Sequence, residues 1–252
     1  MTATYLYCLA RRPEAPDLAG APPGVPGASA PRLLDLGGGL WLVAADVPLP
    51  DYGEEEIARR LEDLAWVSER ALAHEAMVEH FAGAEALVPM KLFTLFASDE
   101  RAAAHVAGEL PRLRTVLDRV AGREEWGVRV RLVPARAGAE VGAESPEPAA
   151  SGRDFLARKQ RQRDAVRRAP EEARAAGGEA FAALAAGATA ARRRAPEPGT
   201  PLVLDAAFLV PRHERGAFEA AVAAAASRLA GAACELTLTG PWPPYNFIGD
   251  EL

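Results

Sequence analysis

Glu125-Trp126-Gly127-Val128-Arg129-Val130-Arg131-Leu132-Val133 alternates large apolar side chains with glycine and arginine. Successive strand side chains point to opposite faces. Trp126, Val128, Val130 and Leu132 therefore share one buried face, and Gly127, Arg129 and Arg131 the other. This is the cleanest strand in the chain, and it orders everything after Gly122. A charged helix follows over roughly 152–190, with a break expected at Gly177-Gly178. Then come an apolar strand from Leu202 to Val210, a helix marked by Phe218, Val222 and Leu229, and a last strand from Cys234 to Thr239. The order β–α–β–α–β with a long crossover predicts parallel pairing in one sheet, helices packed on a face. Residues 134–150, rich in Pro, Gly, Ala and Glu, are expected to be a mobile connection.

Before Gly122 the pattern differs. Tyr5 to Leu9 has strand preference, and residues 13–31 are expected to form a long surface loop. Leu33–Leu36, Gly37-Gly38-Gly39 and Leu40–Val47 spell a hairpin whose glycines supply positive φ. Asp51 with Glu54 suggests an N-cap for a helix running to about Phe81, with a possible break near Trp66. Ala86–Phe96 reads as extended. Ser98-Asp99-Glu100 opens a further helix that kinks or restarts at Pro111. A domain boundary is placed near Gly122, giving domains 1–122 and 123–252.

Composition sets limits on function. Of 252 residues 49% are hydrophobic, but 56 are alanines, so core volume must come from few large side chains. Residues 173–230 hold 22 of those alanines, in the helices and central strand of the second half, where small side chains let helices lie close to a sheet. The formal net charge of −6 argues against a protein built to coat nucleic acid. Two cysteines, Cys8 and Cys234, make no disulfide framework or metal spacing. No signal peptide and no run long enough to span a bilayer is evident, so a cytoplasmic location is expected.

No catalytic, cofactor or metal site emerges. His74 and His80 are six apart, about 120° around a helix, which does not fit a zinc-binding helix. Nucleophile elbows, Walker loops and dinucleotide fingerprints are absent from the sequence. Cys8 reads as a small core residue, and Glu124-Glu125 and Glu171-Glu172 as solvated charges. Arg153 to Arg168 carries seven cations against Asp154 and Asp164. It reads as a solvated helix face or as a surface for a polyanion or acidic partner. The ending Gly240-Pro241-Trp242-Pro243-Pro244-Tyr245-Asn246-Phe247 is a stiff aromatic strip. Pro241, Trp242, Pro243, Pro244, Tyr245 and Phe247 are candidate partner-binding residues; alternatively the strip folds back over the protein's own core.

That ending, with Leu236–Thr239 before it, resembles the gas vesicle protein F/L family (GvpL/GvpF). Other landmarks agree in order: Tyr5-Leu6-Tyr7, Arg70-Ala71 with His74-Glu75, Val88–Phe96, Glu125–Val130 and Ser151–Leu156. The resemblance implies an α+β protein of two domains, the C-terminal one a modified ferredoxin-like fold. It implies an accessory or structural role in gas vesicle assembly, without enzymatic activity or cofactor. It also implies, as partners, the small hydrophobic shell protein and other accessory proteins, and a location with gas vesicles. The alternative is a nucleic-acid-binding ferredoxin-like module, which the acidic balance and scarce sheet aromatics disfavour. One departure stands out: many members read Arg-Phe-Gly-Thr where this chain has Lys91-Leu92-Phe93-Thr94. Phe93 in place of that glycine argues against a close backbone approach there.

Overall fold

The computed structural model describes residues 1–133, 152–195 and 199–249. The connection expected at 134–150 lies outside the described residues. The chain divides into two compact units, Met1–Glu124 with the chain from Trp242 on, and Glu125–Pro241. The last residues thus join the first unit, although the boundary expected near Gly122 assigns them to the second.

In the first unit β1 (Thr2–Arg11), β2 (Arg32–Asp35), β3 (Leu40–Pro48), β4 (Ala86–Pro89) and β5 (Leu95–Phe96) form one sheet, ordered β2-β3-β1-β4 with β5 also on β1. β1 is antiparallel to β3, β4 and β5. It is central, which is why residues Ala3 to Ala10 are buried on both faces rather than alternating. The loop between β1 and β2 is not merely superficial. Val25 is buried and its amide donates to the Tyr7 hydroxyl, while Leu18 and Ala21 pack on the same core.

The expected long helix is three: α1 (Leu49–Tyr52), α2 (Glu54–Arg60) and α3 (Leu64–His80). Asp51 sits inside the short α1 instead of capping; the side-chain cap belongs to Asp63, which accepts from the Trp66 amide. The break at Leu61–Asp63 frees α3 to turn His74, Met77 and Val78 into the core. Ser98 caps α4 (Asp99–Gly108), accepting from the Arg101 amide. Pro111 falls in the first turn of α5 (Leu110–Val120), where its missing N–H costs nothing, so the helix restarts there. Arg32 bonds Asp46 and Asp99, tying the β2–β3 edge to the start of α4.

In the second unit β6 (Arg123–Leu132), β7 (Ala190–Arg194), β8 (Leu202–Pro211) and β9 (Cys234–Trp242) form a sheet ordered β7-β8-β6-β9. α6 (Gly152–Ala185) and α7 (Arg215–Ala230) pack against Trp126, Val128, Val130, Leu204 and Phe208. The parallel pairing expected from the sequence is overturned: the sheets are antiparallel. The cause is β7, whose Ala-Ala-Arg-Arg-Arg carries no apolar alternation because it is an edge strand exposed along its arginines. It pairs antiparallel with β8 and so reverses the chain between α6 and β8. The break expected at Gly177-Gly178 is also absent, since α6 runs through both glycines. A Cβ on Gly177 would lie 3.6 Å from Val203 Cγ2, so the helix sits close on β8 there. Glu124 and Glu125 are buried and partnered, not solvated. Residues 124–125 lie near the start of β6, within a strand rather than a solvated loop.

The β2–β3 turn yields a direct test. Gly38 and Gly39 both have positive φ, +62° and +75°. A methyl on Gly38 meets open space, whereas one on Gly39 would stand 2.7 Å from the Arg12 carbonyl oxygen. Gly38→Ala should cost about 1 kcal/mol, from backbone strain alone. Gly39→Ala should cost at least about 1 kcal/mol more, because main chain must move. Urea unfolding of the two variants checks the order.

Candidate functional site

The C-terminal strip is the first sequence candidate. A 3-10 turn at Tyr245–Phe247 lets the chain fold back, its amides satisfied locally by the Pro243 and Pro244 carbonyls. Pro243, Pro244, Phe247 and Ile248 are buried, and Tyr245 packs half-buried on the first unit's core. Arg119 donates to the Phe247 carbonyl oxygen at 3.2 Å. The Tyr245 phenol is pushed up by burial and then by the neighbouring Glu75 carboxylate. Glu75 is itself raised, by burial and then by Glu79. Of the six candidate residues, Pro241 and Trp242 face solvent, Trp242 at 38%.

A second surface lies on the same unit and was not singled out from the sequence. An open groove of about 740 Å³ has Tyr52, Phe93 and Leu95 along its floor and Leu49, Ile57 and Leu61 along its wall. Leu61 is 54% exposed and Leu49 is exposed as well. α2 buries none of its residues, so its Ile57 remains available at the surface. Glu54 has the only charged side chain among the lining residues, which also include Met1. A continuous apolar surface of this kind marks an interaction site more often than an accident of folding.

The groove floor is fixed by buried polar groups. The Tyr5 hydroxyl and His74 Nδ1 are 2.8 Å apart, and His74 Nε2 is 3.1 Å from the Met90 carbonyl oxygen. A carbonyl only accepts, so Nε2 carries the proton and Nδ1 accepts from Tyr5. The Phe93 amide donates to the same Tyr5 oxygen at 3.4 Å. Burial lowers the His74 pKa from 6.5 to about 4, the bond to Met90 working the other way. His74 is thus a neutral structural histidine. The Tyr5 phenol is raised, chiefly by burial.

Phe93 holds the left-handed backbone conformation, with φ +66°. A conformation that suits glycine is therefore adopted here by a residue with a large side chain. That ring stacks on Trp66 at 5.3 Å between centroids and touches Tyr52 at 6.5 Å. Arg70 covers the other aromatics, 4.0 Å from the Trp66 ring centre and 5.5 Å from Tyr52. Left-handed strain of roughly 1–2 kcal/mol is offset by this packing. Among the described residues no three His, Cys, Asp or Glu side chains converge as a metal site. Cys8 is fully buried, and burial raises its thiol pKa. No described helix is long and apolar enough to cross a membrane.

Two measurements probe this locked floor. His74 is neutral in the fold but titrates near 6.5 when unfolded, so stability is complete above pH 6.5 and falls as pH drops toward 4. The loss should approach about 3 kcal/mol, and His74→Gln should flatten the melting temperature over that window. At Phe93, glycine should beat alanine. Both remove the ring, but only alanine keeps the strain, so Phe93→Gly should be about 1 kcal/mol more stable than Phe93→Ala. Paired denaturation curves decide it.

Comparison with known proteins agrees with the resemblance. Residues 3–249 match the family "Gas vesicle synthesis protein GvpL/GvpF". Gas vesicle protein L of Streptomyces sp. (strain CB03234) is 34% identical over 234 residues, covering 88% of this chain and 85% of that protein. The crystal structure of gas vesicle protein GvpF from Anabaena sp. PCC7120 superposes with a TM-score of 0.67 at 16% identity, covering 98% and 96% of the two chains. That of GvpF from Microcystis aeruginosa gives 0.65 at 16% identity, with 98% of each chain covered. These structures share the fold, and the match along nearly the whole sequence shows that the chain belongs to the gas vesicle GvpL/GvpF family.

Proposed function

We propose that this protein serves gas vesicle assembly as an accessory protein without catalytic activity, holding the small hydrophobic shell subunit and meeting other accessory proteins while the shell forms. Family membership supports the process. The observation that carries the mechanism is the apolar groove beside α2, where Leu49, Ile57, Leu61 and Phe93 stand open to a partner. A subunit that must stay out of water before it joins a wall needs apolar area presented by a folded carrier. Trp242 and Pro241 add a second exposed apolar point, while the rest of the strip anchors them. The second unit's order β–α–β–β–α–β, with strands arranged β7-β8-β6-β9, supports reading it as a modified ferredoxin-like domain. Arg129 and Arg131, the exposed side chains of β6, offer no ring for a base to stack on.

The test is the double variant Ile57→Glu with Leu61→Glu, introduced into cells that make gas vesicles. Both side chains lie at least partly in solvent, so the fold should survive. Vesicle yield, read by flotation and electron microscopy, should fall severely while the purified variant melts within a few degrees of the parent. A folded double variant that supports normal vesicles would sink the groove as the contact. Trp242→Ala, measured alongside, separates the second point from the first.

A further inference from the structure

α6 is far longer than the sheet it packs on. Its 34 residues rise roughly 51 Å at 1.5 Å each, against roughly 33 Å for a ten-residue strand. The buried residues of α6 start at Ala169 and continue through Ala173, Ala180 and Leu184. Before Ala169 no described residue of the helix is buried. Those first turns form an arm whose described side chains are exposed or half-buried. Phe155, Leu156 and Val166 are exposed on it at 47%, 66% and 48%. At 100° per residue Phe155 and Val166 lie about 20° apart and Leu156 lies about 100° from Phe155, so the three fall in one arc that Lys159 and Arg163 share. Lys159 Nζ lies 5.7 Å from the Phe155 ring centre. By sequence the same stretch carries Arg153, Arg158, Lys159, Arg161, Arg163, Arg167 and Arg168 against Asp154 and Asp164.

The groove on the first unit is the complement in both respects. It is apolar within, and residues 51–63, the segment that supplies Tyr52, Glu54, Ile57 and Leu61 to its lining, carry Asp51, Glu54, Glu55, Glu56, Glu62 and Asp63 against Arg59 and Arg60. Those two arginines are already engaged by Glu56, Arg59 Nε at 2.9 Å and Arg60 Nε at 3.0 Å. Asp51, Glu54, Glu55 and Glu62 have no cation within ion-pair distance among the described residues.

We infer that the basic arm of one copy docks in the groove of a second copy, against its acidic α1–α2 segment. Phe155, Leu156 and Val166 enter the groove, and the arm's cations meet Asp51, Glu54, Glu55 and Glu62. Donor and acceptor surfaces are different, so the contact is head-to-tail and can extend beyond a dimer. The arm covers the surface proposed above for the shell subunit, so the two compete for it. The inference concerns the purified protein alone and stands or falls independently of the vesicle reading.

Sedimentation of the full chain over about 1–100 µM tests it. The mean mass should rise with concentration and fall back when salt is raised from about 0.05 to 0.5 M. Phe155→Glu with Val166→Glu on the arm, or Ile57→Glu with Leu61→Glu in the groove, should each weaken association at least about tenfold. An equimolar mixture of the two double variants should form a dimer that grows no further, because each keeps the half the other lost. A parent chain that stays monomeric throughout overturns the inference. So does an oligomer that the arm variant leaves unchanged, or a mixture that stays monomeric. Vesicle failure of the groove variant with a monomeric parent would leave the shell contact standing while removing the self-contact.

Discussion

The bond between the Tyr5 hydroxyl and His74 Nδ1 is where the first unit is held together. It joins the central strand to α3 across 69 residues of sequence and is buried from water. Through Nε2 the same imidazole holds the Met90 carbonyl, and through its oxygen Tyr5 takes the Phe93 amide. Three segments distant in sequence are thereby fixed by one neutral pair. Each partner is costly to leave alone, because an unpaired buried donor or acceptor loses its hydration without return. The floor of the apolar groove inherits this rigidity, since Phe93 and Leu95 follow directly from the clamped turn.

Strain at Phe93 belongs to the same arrangement. A backbone in the left-handed region ordinarily calls for glycine, and here the position holds phenylalanine. Here the ring fills the space between Tyr52 and Trp66, and Arg70 seals the stack. The chain has exchanged backbone ease for aromatic contact at the edge of a surface that faces solvent. A wall of fixed aromatic side chains offers area to a partner without the entropy loss of ordering it.

Much of the fold was legible where apolar period and strand pairing coincide. β6 buries Trp126, Val128 and Val130 as its alternation demands, and Ser98 and Pro111 sit at the helix starts their chemistry suits. What escaped had contrary local signals. β7 is strand by virtue of pairing along β8, while its arginines advertise solvent. α6 crosses two glycines because packing on β8 outweighs their intrinsic cost. Glu124 and Glu125 look solvated by charge but are buried and partnered at the start of β6. The groove left no motif at all: Ile57 and Leu61 have the spacing of a core helix, and only the absence of burial reveals them as surface. In the terminal strip Phe247 and the paired prolines are buried, as folding back requires, while Trp242 is exposed.

The abundance of alanine acquires a physical meaning from these placements. Along α6 the buried positions are Ala169, Ala173 and Ala180, with Gly177 close on Val203, so the helix rests low on its sheet with little side-chain volume between. Such packing gains dispersion contacts from proximity rather than from bulk. It also means that the second unit has few large side chains to spare for its surface. Phe155, Leu156 and Val166 are therefore conspicuous on an arm that buries nothing of its own, as Leu49 and Leu61 are beside the groove. Apolar area left in water is a standing cost, offset when another surface covers it. In a chain so sparing of large residues, the places where they remain uncovered are the places where association can supply free energy.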